Sequence, residues 1–397
     1  MWDLKVVWCS LVVGFGLTVS AGEPRFLGKV AISGVATDLS NQAGSLEDCS
    51  PANRLGSHGS GIAWLGKGTS YAMIPDRGPA DGATSYRCRF HLFDIVIDEQ
   101  SAPVVKATLR ETVLLTHRSG RPLIGSSAAF ANGSSANGLR FDPEAIRASG
   151  RDSFFLSDEY GPSIIEFDAR GKQIGELPIP ARYGISKPAA NPEEELPPAN
   201  TSGRHPNKGM ECLAISADGE TLFGLMQGPL FQDGALDANN KRVGKNLRLL
   251  EVHRRTGTTR EFVYQLEHAD NGCSEIEAIA PGRFLVIERD GKPGTSGGFK
   301  HIYEIDLREA TDISRVNSLP ATGLPAGVRA VTKRLFLDLL DPKWGLVGEA
   351  FPAKIEGIAF GPRLKDGSRL LLISSDNDFK PEESSCLFAF AVSAERE

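Results

Sequence analysis

The chain has 397 residues, 41% of them hydrophobic, and a formal net charge of −6 at pH 7. This length and hydrophobic fraction are sufficient for a large buried core. The acidic balance lacks the basic surface by which proteins bind nucleic acid, so we expect no nucleic-acid partner.

The first 21 residues are predicted to be a signal peptide. Lys5 precedes an apolar run from Val6 to Val19, and Val19-Ser20-Ala21 matches the small-x-small cleavage pattern. The run is too short to span a bilayer comfortably, and no stop-transfer segment follows it. We therefore expect a mature chain of residues 22–397 without a membrane span, located in a periplasm or outside the cell.

The mature chain begins with a lone predicted strand, Arg25 to Ser33, and continues with a unit that occurs five times. In each unit a short apolar strand leads to a second apolar strand that usually ends in charged residues, and a third strand follows. The leading strands are Ser60–Trp64, Pro143–Ile146, Met210–Ile215, Ile276–Ala280 and Lys354–Phe360. Fourth strands follow the first four units and begin at Val105, Gln173, Thr259 and Val331.

Short strands that repeat in a fixed order predict an all-β fold, a single β-propeller. The count gives five blades, and a sixth could lie in the poorly patterned stretches 34–59 or 118–141. The last unit stops at its third strand. The N-terminal strand is therefore expected to complete the last blade and to remove the exposed sheet edges.

Three stretches, 34–59, 118–141 and 184–208, are predicted to be long loops over one mouth of the ring. The run Glu193–Glu195 within the third loop is expected to be solvated. Cys49 and Cys88 are the expected disulfide pair in an oxidising compartment, because both lie outside the leading strands.

Glutamates lead four of the five units, and Ser60 stands in their place in the first. Since the leading strands of a propeller face its central channel, we expect these glutamates to converge there: Glu144, Glu211, Glu277 and Glu356. Like charges at close range raise one another's pKa and destabilise the fold, so such a ring requires cations. Oxygen-only ligands favour calcium or magnesium over zinc.

Charged residues at the ends of the second strands are expected at the same rim. Asp76, Asp158 and Asp376 join the four glutamates as candidate metal ligands, and Glu211 and Glu277 are also candidate general bases. The cations Arg77, Lys208 and Arg289 are candidates for binding a substrate phosphate or carboxylate. Propellers also use such acids only to tie turns together, and that interpretation stays open. The pattern Gly-x-Ser-x-Gly occurs once, at Gly294–Gly298, and this stretch is interpreted as a turn, so a nucleophile-elbow hydrolase is not expected.

Taken together, these motifs resemble the phytase-like family, described as having esterase-like activity of phytase. The matching segments are Ser60–Ile62, Asp76–Gly78, Asp142–Ala145, Ser157–Glu159, Asn207–Glu211, Glu275–Ile279, Glu288–Asp290, Lys354–Ile358 and Ser375–Phe379. The resemblance runs from about Gly59 to Val392 and implies a secreted propeller whose acids act in phosphoester or ester hydrolysis. The chain departs from calcium-dependent β-propeller phytases, since it lacks the dense Lys and Arg cluster that phytate would demand.

Three functions follow as hypotheses. The first is metal-assisted hydrolysis of a small phosphoester or carboxylic ester, with calcium as cofactor and a monomeric protein. The second is a calcium lactonase of the six-bladed gluconolactonase kind. The third is a non-catalytic propeller that binds a carbohydrate, peptide or protein. An enzyme predicts the acids at metal-sharing distance in one open mouth, whereas a binding module predicts them buried and ion-paired.

Overall fold

The computed structural model describes residues 23–130, 138–150, 152–294, 298–348 and 350–393, so the predicted signal peptide lies outside the described part. Five four-stranded antiparallel sheets dominate it. Its helices are short 3-10 turns, at Ala181–Tyr183, Pro192–Glu195, Phe231–Asp233 and Pro342–Trp344. None of the helices in these ranges has the length and apolar character that a bilayer crossing requires. The predicted all-β propeller with five blades is confirmed.

Each blade is a meander whose first strand lies innermost. Blade 1 contains Gly61–Trp64, Ser70–Ile74, Arg89–Ile97 and Val105–Leu114. Blade 2 contains Pro143–Ala148, Ser153–Asp158, Ser163–Asp168 and Gln173–Glu176. Blade 3 contains Cys212–Ile215, Thr221–Leu225, Asn246–His253 and Thr259–Gln265. Blade 4 contains Gly272–Ala280, Arg283–Arg289, Lys300–Asp306 and Thr332–Asp338. Blade 5 contains Lys354–Arg363, Arg369–Asp376, Ser385–Val392 and the N-terminal strand Arg25–Ile32.

The N-terminal strand closes the ring as expected. It pairs antiparallel with Ser385–Val392, with Arg25 opposite Ala391 and Ile32 opposite Ser385. The outer strand of blade 5 therefore comes from the opposite end of the chain, and the third strand of that blade has no free edge.

The blades enclose a common axis. The first strand of each blade contacts the first strands of both neighbours, in cyclic order from blade 1 to blade 5 and back to blade 1. Five clusters of buried apolar side chains lie between neighbouring blades, one at each junction. Removal of these faces from water favours the closed ring and fixes the first strands around one channel.

Neither of the two poorly patterned stretches forms a sixth blade within the described residues. Residues 34–59 contain only isolated bridges, Thr37 with Arg54 and Ser45 with Pro51. The described part of 118–141 contributes a two-stranded parallel pair, Leu123–Ile124 with Leu139–Arg140.

Two local expectations are wrong. Cys49 and Cys88 are both free thiols: Cys49 is exposed, whereas Cys88 is buried and donates a hydrogen bond to the Phe141 carbonyl at 3.3 Å. In the Glu193–Glu195 run, Glu193 and Glu194 are exposed, but Glu195 is buried and accepts a hydrogen bond from Arg204 at 2.6 Å. This ion pair lies within the long loop 184–208, and Arg204 joins the loop to blade 2 by donating to the Tyr160 carbonyl at 2.6 Å.

Candidate functional site

The site lies at the mouth where the first strands begin and the second strands end. These ends meet because consecutive strands of a blade are antiparallel. Bulges decide which side chains enter the mouth. In blades 2 and 5 the register slips between Pro143 and Ile146 and between Ile355 and Gly357, which leaves Glu144 and Glu356 unpaired at the irregularities. A bulge re-aims its side chain, a device common next to active sites.

Three carboxylates of blade 2 form the tightest group. One oxygen from each of Asp142, Glu144 and Glu159 lies within 4.8 Å of the others, and all three residues are buried. Burial raises the pKa of Asp142 to about 6, with Arg77 opposing the rise. Burial and the charge of Glu211 raise the pKa of Glu144 well above its usual range.

Glu211 and Glu356 extend this group around the mouth. Burial, followed by the charges of Glu159 and Glu356, raises the pKa of Glu211 well above its usual range. Burial and the charge of Asp376 raise the pKa of Glu356 to about 7, opposed by Arg289. The electrostatic influence that these acids exert on one another places them in a single cluster.

Asp76 and Asp376 complete the cluster on the side of blades 1 and 5. Burial and the charges of Asp376 and Asp142 raise the pKa of Asp76 well above its usual range. Asp376 accepts hydrogen bonds from the Ser57 hydroxyl and, at 2.7 Å, from the Asp378 amide.

Two of the three predicted substrate-binding cations already contact acids of the cluster. Arg77 donates to Asp142 and, at 3.4 Å, to Glu159. Arg289 donates to Glu356 and, at 3.2 Å, to the Ile355 carbonyl. Both guanidinium groups therefore neutralise and orient carboxylates.

Lys208 differs from the two arginines. Its ammonium donates to the neutral side chain of Gln227, and no ion pair to a carboxylate is present among the described residues. Burial lowers its pKa, while the charges of Glu159 and Glu211 oppose that effect. Lys208 is thus a partly buried cation that faces the cluster without being directly paired.

Asp158 lies behind the cluster and ties a turn together. Its carboxylate accepts hydrogen bonds from the amides of Asp142, Tyr160 and Gly161 at 3.1–3.3 Å. Burial raises the pKa of Asp158 to about 7. These bonds fix the position of Asp142 relative to the end of the second strand.

Glu277 lies apart from the other three predicted glutamates. In blade 4 the register slips between Cys273 and Glu275, so Ser274 occupies the place that Glu356 holds in blade 5. Glu277 is three residues farther along the channel. Its carboxylate lies 3.3 Å from Arg147 Nε, and burial raises its pKa with Arg147 opposing.

Arg147 crosses the channel below the mouth. Its guanidinium donates to the carbonyls of Ile62 at 3.0 Å and Ile276 at 2.7 Å, and it lies 3.0 Å from the carboxylate of Glu275. Arg147 and Glu275 are both fully or almost fully buried. This ion pair separates the acidic mouth from the opposite end of the channel.

Three residues of the mouth were not among the predicted ligands, bases or anion-binding residues, although they lie in segments that match the family, namely Asp142, Glu159 and Lys354. Each is a direct neighbour, or next neighbour, of a residue that was. Asp142 and Glu159 stand at the two ends of the first hairpin of blade 2, and Lys354 begins the first strand of blade 5. The prediction selected Asp158 rather than its neighbour Glu159, and Glu144 rather than Asp142, because the sequence does not show which side chain at a strand end faces the mouth.

The set of oxygen ligands fits a hard divalent cation. Asp142, Glu144 and Glu159 offer carboxylate oxygens, which calcium and magnesium prefer. In the part of the chain that the structure describes, the carboxylate of Glu211, which is 3% exposed, accepts no hydrogen bond, and the carboxyl group of Glu144, which is 8% exposed, pairs only with that of Asp142. Carboxylates buried side by side without donors are costly unless protons or a cation neutralise them.

A curated relative, an uncharacterized secreted protein of Arthroderma benhamiae, is 28% identical over 337 residues, which cover 68% of this chain. The same match covers 64% of that relative, so the chain spans less than two thirds of its length.

Two similar solved structures carry the names of enzymes. A periplasmic gluconolactonase of Pseudomonas aeruginosa is 12% identical, with 94% of this chain and 96% of that chain covered and a TM-score of 0.36. A β-1,3-galactosidase of the GH43 family is 10% identical, with 92% and 62% covered and a TM-score of 0.41. Scores below 0.5 carry no conclusion about activity.

The family model named Phytase-like, described as esterase-like activity of phytase, matches residues 53–379. This range contains every strand of the first four blades and the mouth residues from Asp76 to Asp378. The chain therefore belongs to the phytase-like family.

Proposed function

We propose that the protein is an exported hydrolase that cleaves a small anionic phosphoester or carboxylic ester at the acidic mouth, with calcium as cofactor. The observation that carries this proposal is the group Asp142, Glu144 and Glu159, whose oxygens lie within 4.8 Å of one another. Next to it, Glu211 is buried and without a hydrogen-bond donor among the described residues.

Calcium would be held by Asp142, Glu144 and Glu159. When bound, such a cation polarises the scissile ester and lowers the pKa of a water molecule. The other requirements of hydrolysis fall to side chains of this chain. They must bind the anionic group, orient it and supply a proton to the leaving oxygen.

Glu211 suits the role of proton donor. Burial and the charges of Glu159 and Glu356 raise its pKa, which favours the protonated form that general acid catalysis requires. Water adds to the phosphorus or the acyl carbon, the bond to the leaving oxygen breaks, and that oxygen takes the proton of Glu211. The proton lost by the attacking water returns to the Glu211 carboxylate. Glu277 is not given this role, because Arg147 engages it farther down the channel.

Lys208 suits the binding of the substrate's anionic group. Arg77 and Arg289 are already engaged with Asp142 and Glu356, whereas Lys208 contacts only a neutral amide. The proposal therefore gives the first contact with phosphate or carboxylate to Lys208. Arg77 and Arg289 hold the acids in place.

A second candidate function is a binding propeller without catalysis. The ion pairs of Arg77 and Arg289 and the burial of the cluster support it, because this is the arrangement expected of a purely structural set of acids. Export is supported by the predicted signal peptide and by the word secreted in the name of the fungal relative.

Hydrolysis assays distinguish the two candidates. The substrates are p-nitrophenyl phosphate, bis-p-nitrophenyl phosphate, p-nitrophenyl acetate and gluconolactone, each with calcium and with EGTA. We expect calcium-dependent turnover of at least one substrate. Glu211→Gln should lower kcat about 100-fold or more, since general acid catalysis contributes roughly 10²–10⁴-fold.

Glu277→Gln is the matched control, because it is the same substitution on a residue of the same channel outside the cluster. It should retain turnover. Activity that survives EGTA would contradict the role of calcium. Absence of turnover on all four substrates would favour the binding propeller.

A further inference from the structure

The acids of the mouth divide into two groups according to their partners. The first group lies on blades 2 and 3 and consists of Asp142, Glu144, Glu159 and Glu211. The second lies on blades 1 and 5 and consists of Asp76, Glu356, Asp376 and Asp378. The two groups contain equal numbers of carboxylates, but the chain supplies them with unequal numbers of cations.

In the second group, a lysine lies among the carboxylates. The ammonium of Lys354 contacts Asp378 and lies 3.5 Å from Asp376 Oδ2. Arg289 contacts Glu356, and Lys380 lies 3.4 Å from Asp378. Asp76 accepts a hydrogen bond from the Gly78 amide at 2.9 Å. Every carboxylate of this group therefore has a cation or a donor from the chain itself.

In the first group, Arg77 is the only cation in ionic contact among the described residues. It contacts Asp142 and Glu159 of this group, and it also pairs with Asp81 outside the group. Glu144 and Glu211 are more than nine-tenths buried. Among the described residues, the carboxyl group of Glu144 has a hydrogen-bond partner only in that of Asp142, and the carboxylate of Glu211 has none. Two neighbouring buried carboxylates are therefore left without an ion pair from the protein, although the charge of Lys208 opposes the rise in the pKa of Glu211.

We propose that the mouth binds a single divalent cation, at Asp142, Glu144 and Glu159 beside Glu211, and that Lys354 is the resident cation of the other group. The inference rests on the proposed function, because it takes the same mouth to be the metal site. It adds that each chain binds one divalent ion. It also adds a role for Lys354, whose ammonium group occupies the place where a second divalent ion would otherwise bind.

Equilibrium dialysis against calcium, read by elemental analysis, tests this directly. The wild-type protein should bind one calcium ion per chain, and Glu144→Gln should lose it. Lys354→Met removes the ammonium without removing any carboxylate, so this variant should bind a second ion. Lys354→Arg keeps the charge and should remain at one.

Lys380→Met is the matched control. Lys380 also contacts Asp378, but its side chain is 45% exposed and it pairs with Glu383 as well. This variant should bind one ion. Circular dichroism and a thermal melt verify that each variant is folded. The number of calcium ions bound by the wild-type protein does not depend on the folding of any variant.

Two ions per wild-type chain would overturn the inference and leave the proposed hydrolase intact. One ion in folded Lys354→Met would overturn the role of Lys354. If the wild-type protein binds no calcium, the single-site inference fails. The assays with EGTA then decide separately whether a metal-independent hydrolase remains.

Discussion

At the scale of single residues, Arg147 shows how one buried charge is accommodated in the channel. Its guanidinium joins blades 1, 2 and 4 through the carbonyls of Ile62 and Ile276 and the carboxylate of Glu275. Loss of one partner of a buried ion pair leaves the other charge uncompensated, which typically costs about 3–5 kcal/mol.

Arg147→Met should therefore lower the free energy of unfolding by about 3–5 kcal/mol in urea titrations. The double variant Arg147→Met with Glu275→Gln should recover part of that loss, because the remaining buried group is then neutral. A loss in the double variant equal to the sum of both single losses would contradict this explanation.

His58 is expected to make the folded protein less stable as the pH falls. It is 1% exposed and stacks on Phe93, with the ring centroids 5.5 Å apart. Burial lowers its pKa to about 4, from an ordinary value of 6.5. As the pH falls below 6.5, the unfolded chain therefore binds a proton at His58 that the folded protein does not bind. The free energy of unfolding decreases as a result until about pH 4.

At about pH 4.5 this linkage removes about 2–3 kcal/mol of stability relative to neutral pH. His58→Gln should weaken the acid-side decline in the free energy of unfolding by that amount. His253→Gln is the control, since His253 is a partly exposed histidine of an outer strand. An unchanged pH slope in His58→Gln would show that His58 is not the group responsible.

At the scale of elements, the sequence predicted the positions of the strands better than it predicted which of their side chains face the mouth. Hydrophobic patterning and repetition were sufficient for the first strand of every blade. The bulges were not visible in the sequence, because a bulge is defined by the partner strand. Blade 4 offers both Glu275 and Glu277, and only the register with Arg283–Arg289 shows that Ser274 takes the mouth position.

Loops next to the mouth are held by close backbone contacts. A Cβ atom on Gly125 would lie 1.5 Å from the Arg77 carbonyl oxygen. The amide and guanidinium of the same Arg77 hold Asp142. The close contact between Gly125 and Arg77 therefore helps to fix the position of Asp142.

Gly125→Ala should lower the free energy of unfolding by about 1–3 kcal/mol, the usual cost of overpacking, and should also weaken calcium binding. Gly291→Ala is the matched control, because nothing lies within 4 Å of its Cβ position. Equal melting temperatures for the two variants would contradict the close approach at Gly125.

At the scale of the whole molecule, ring closure brings the mouth together. The acids come from residues as far apart as Asp76 and Asp378, and no local segment of the chain could assemble them. Repetition predicted this convergence correctly for Glu144, Glu211 and Glu356. It could not predict the compensation by Arg77, Arg289 and Lys354, because the repeats do not encode which charges become neighbours.

The closing strand is the element on which the whole ring depends. Deletion of residues 1–32 would leave Ser385–Val392 as an unpaired sheet edge, a known route to aggregation. Compared with a chain that lacks only residues 1–22, the shorter chain should elute as larger species in size-exclusion chromatography and lose its cooperative melt. A monomeric shorter chain with an unchanged melting temperature would contradict the closure.

The central claim about the whole molecule is that its acidic mouth binds a divalent cation. The most direct test is a crystal structure grown with calcium. It should show an ion about 2.3–2.6 Å from carboxylate oxygens of Glu144 and Glu159, the normal range for calcium ligands. A map without an ion at this group, with Glu144 instead paired to a cation of the protein, would contradict the central claim.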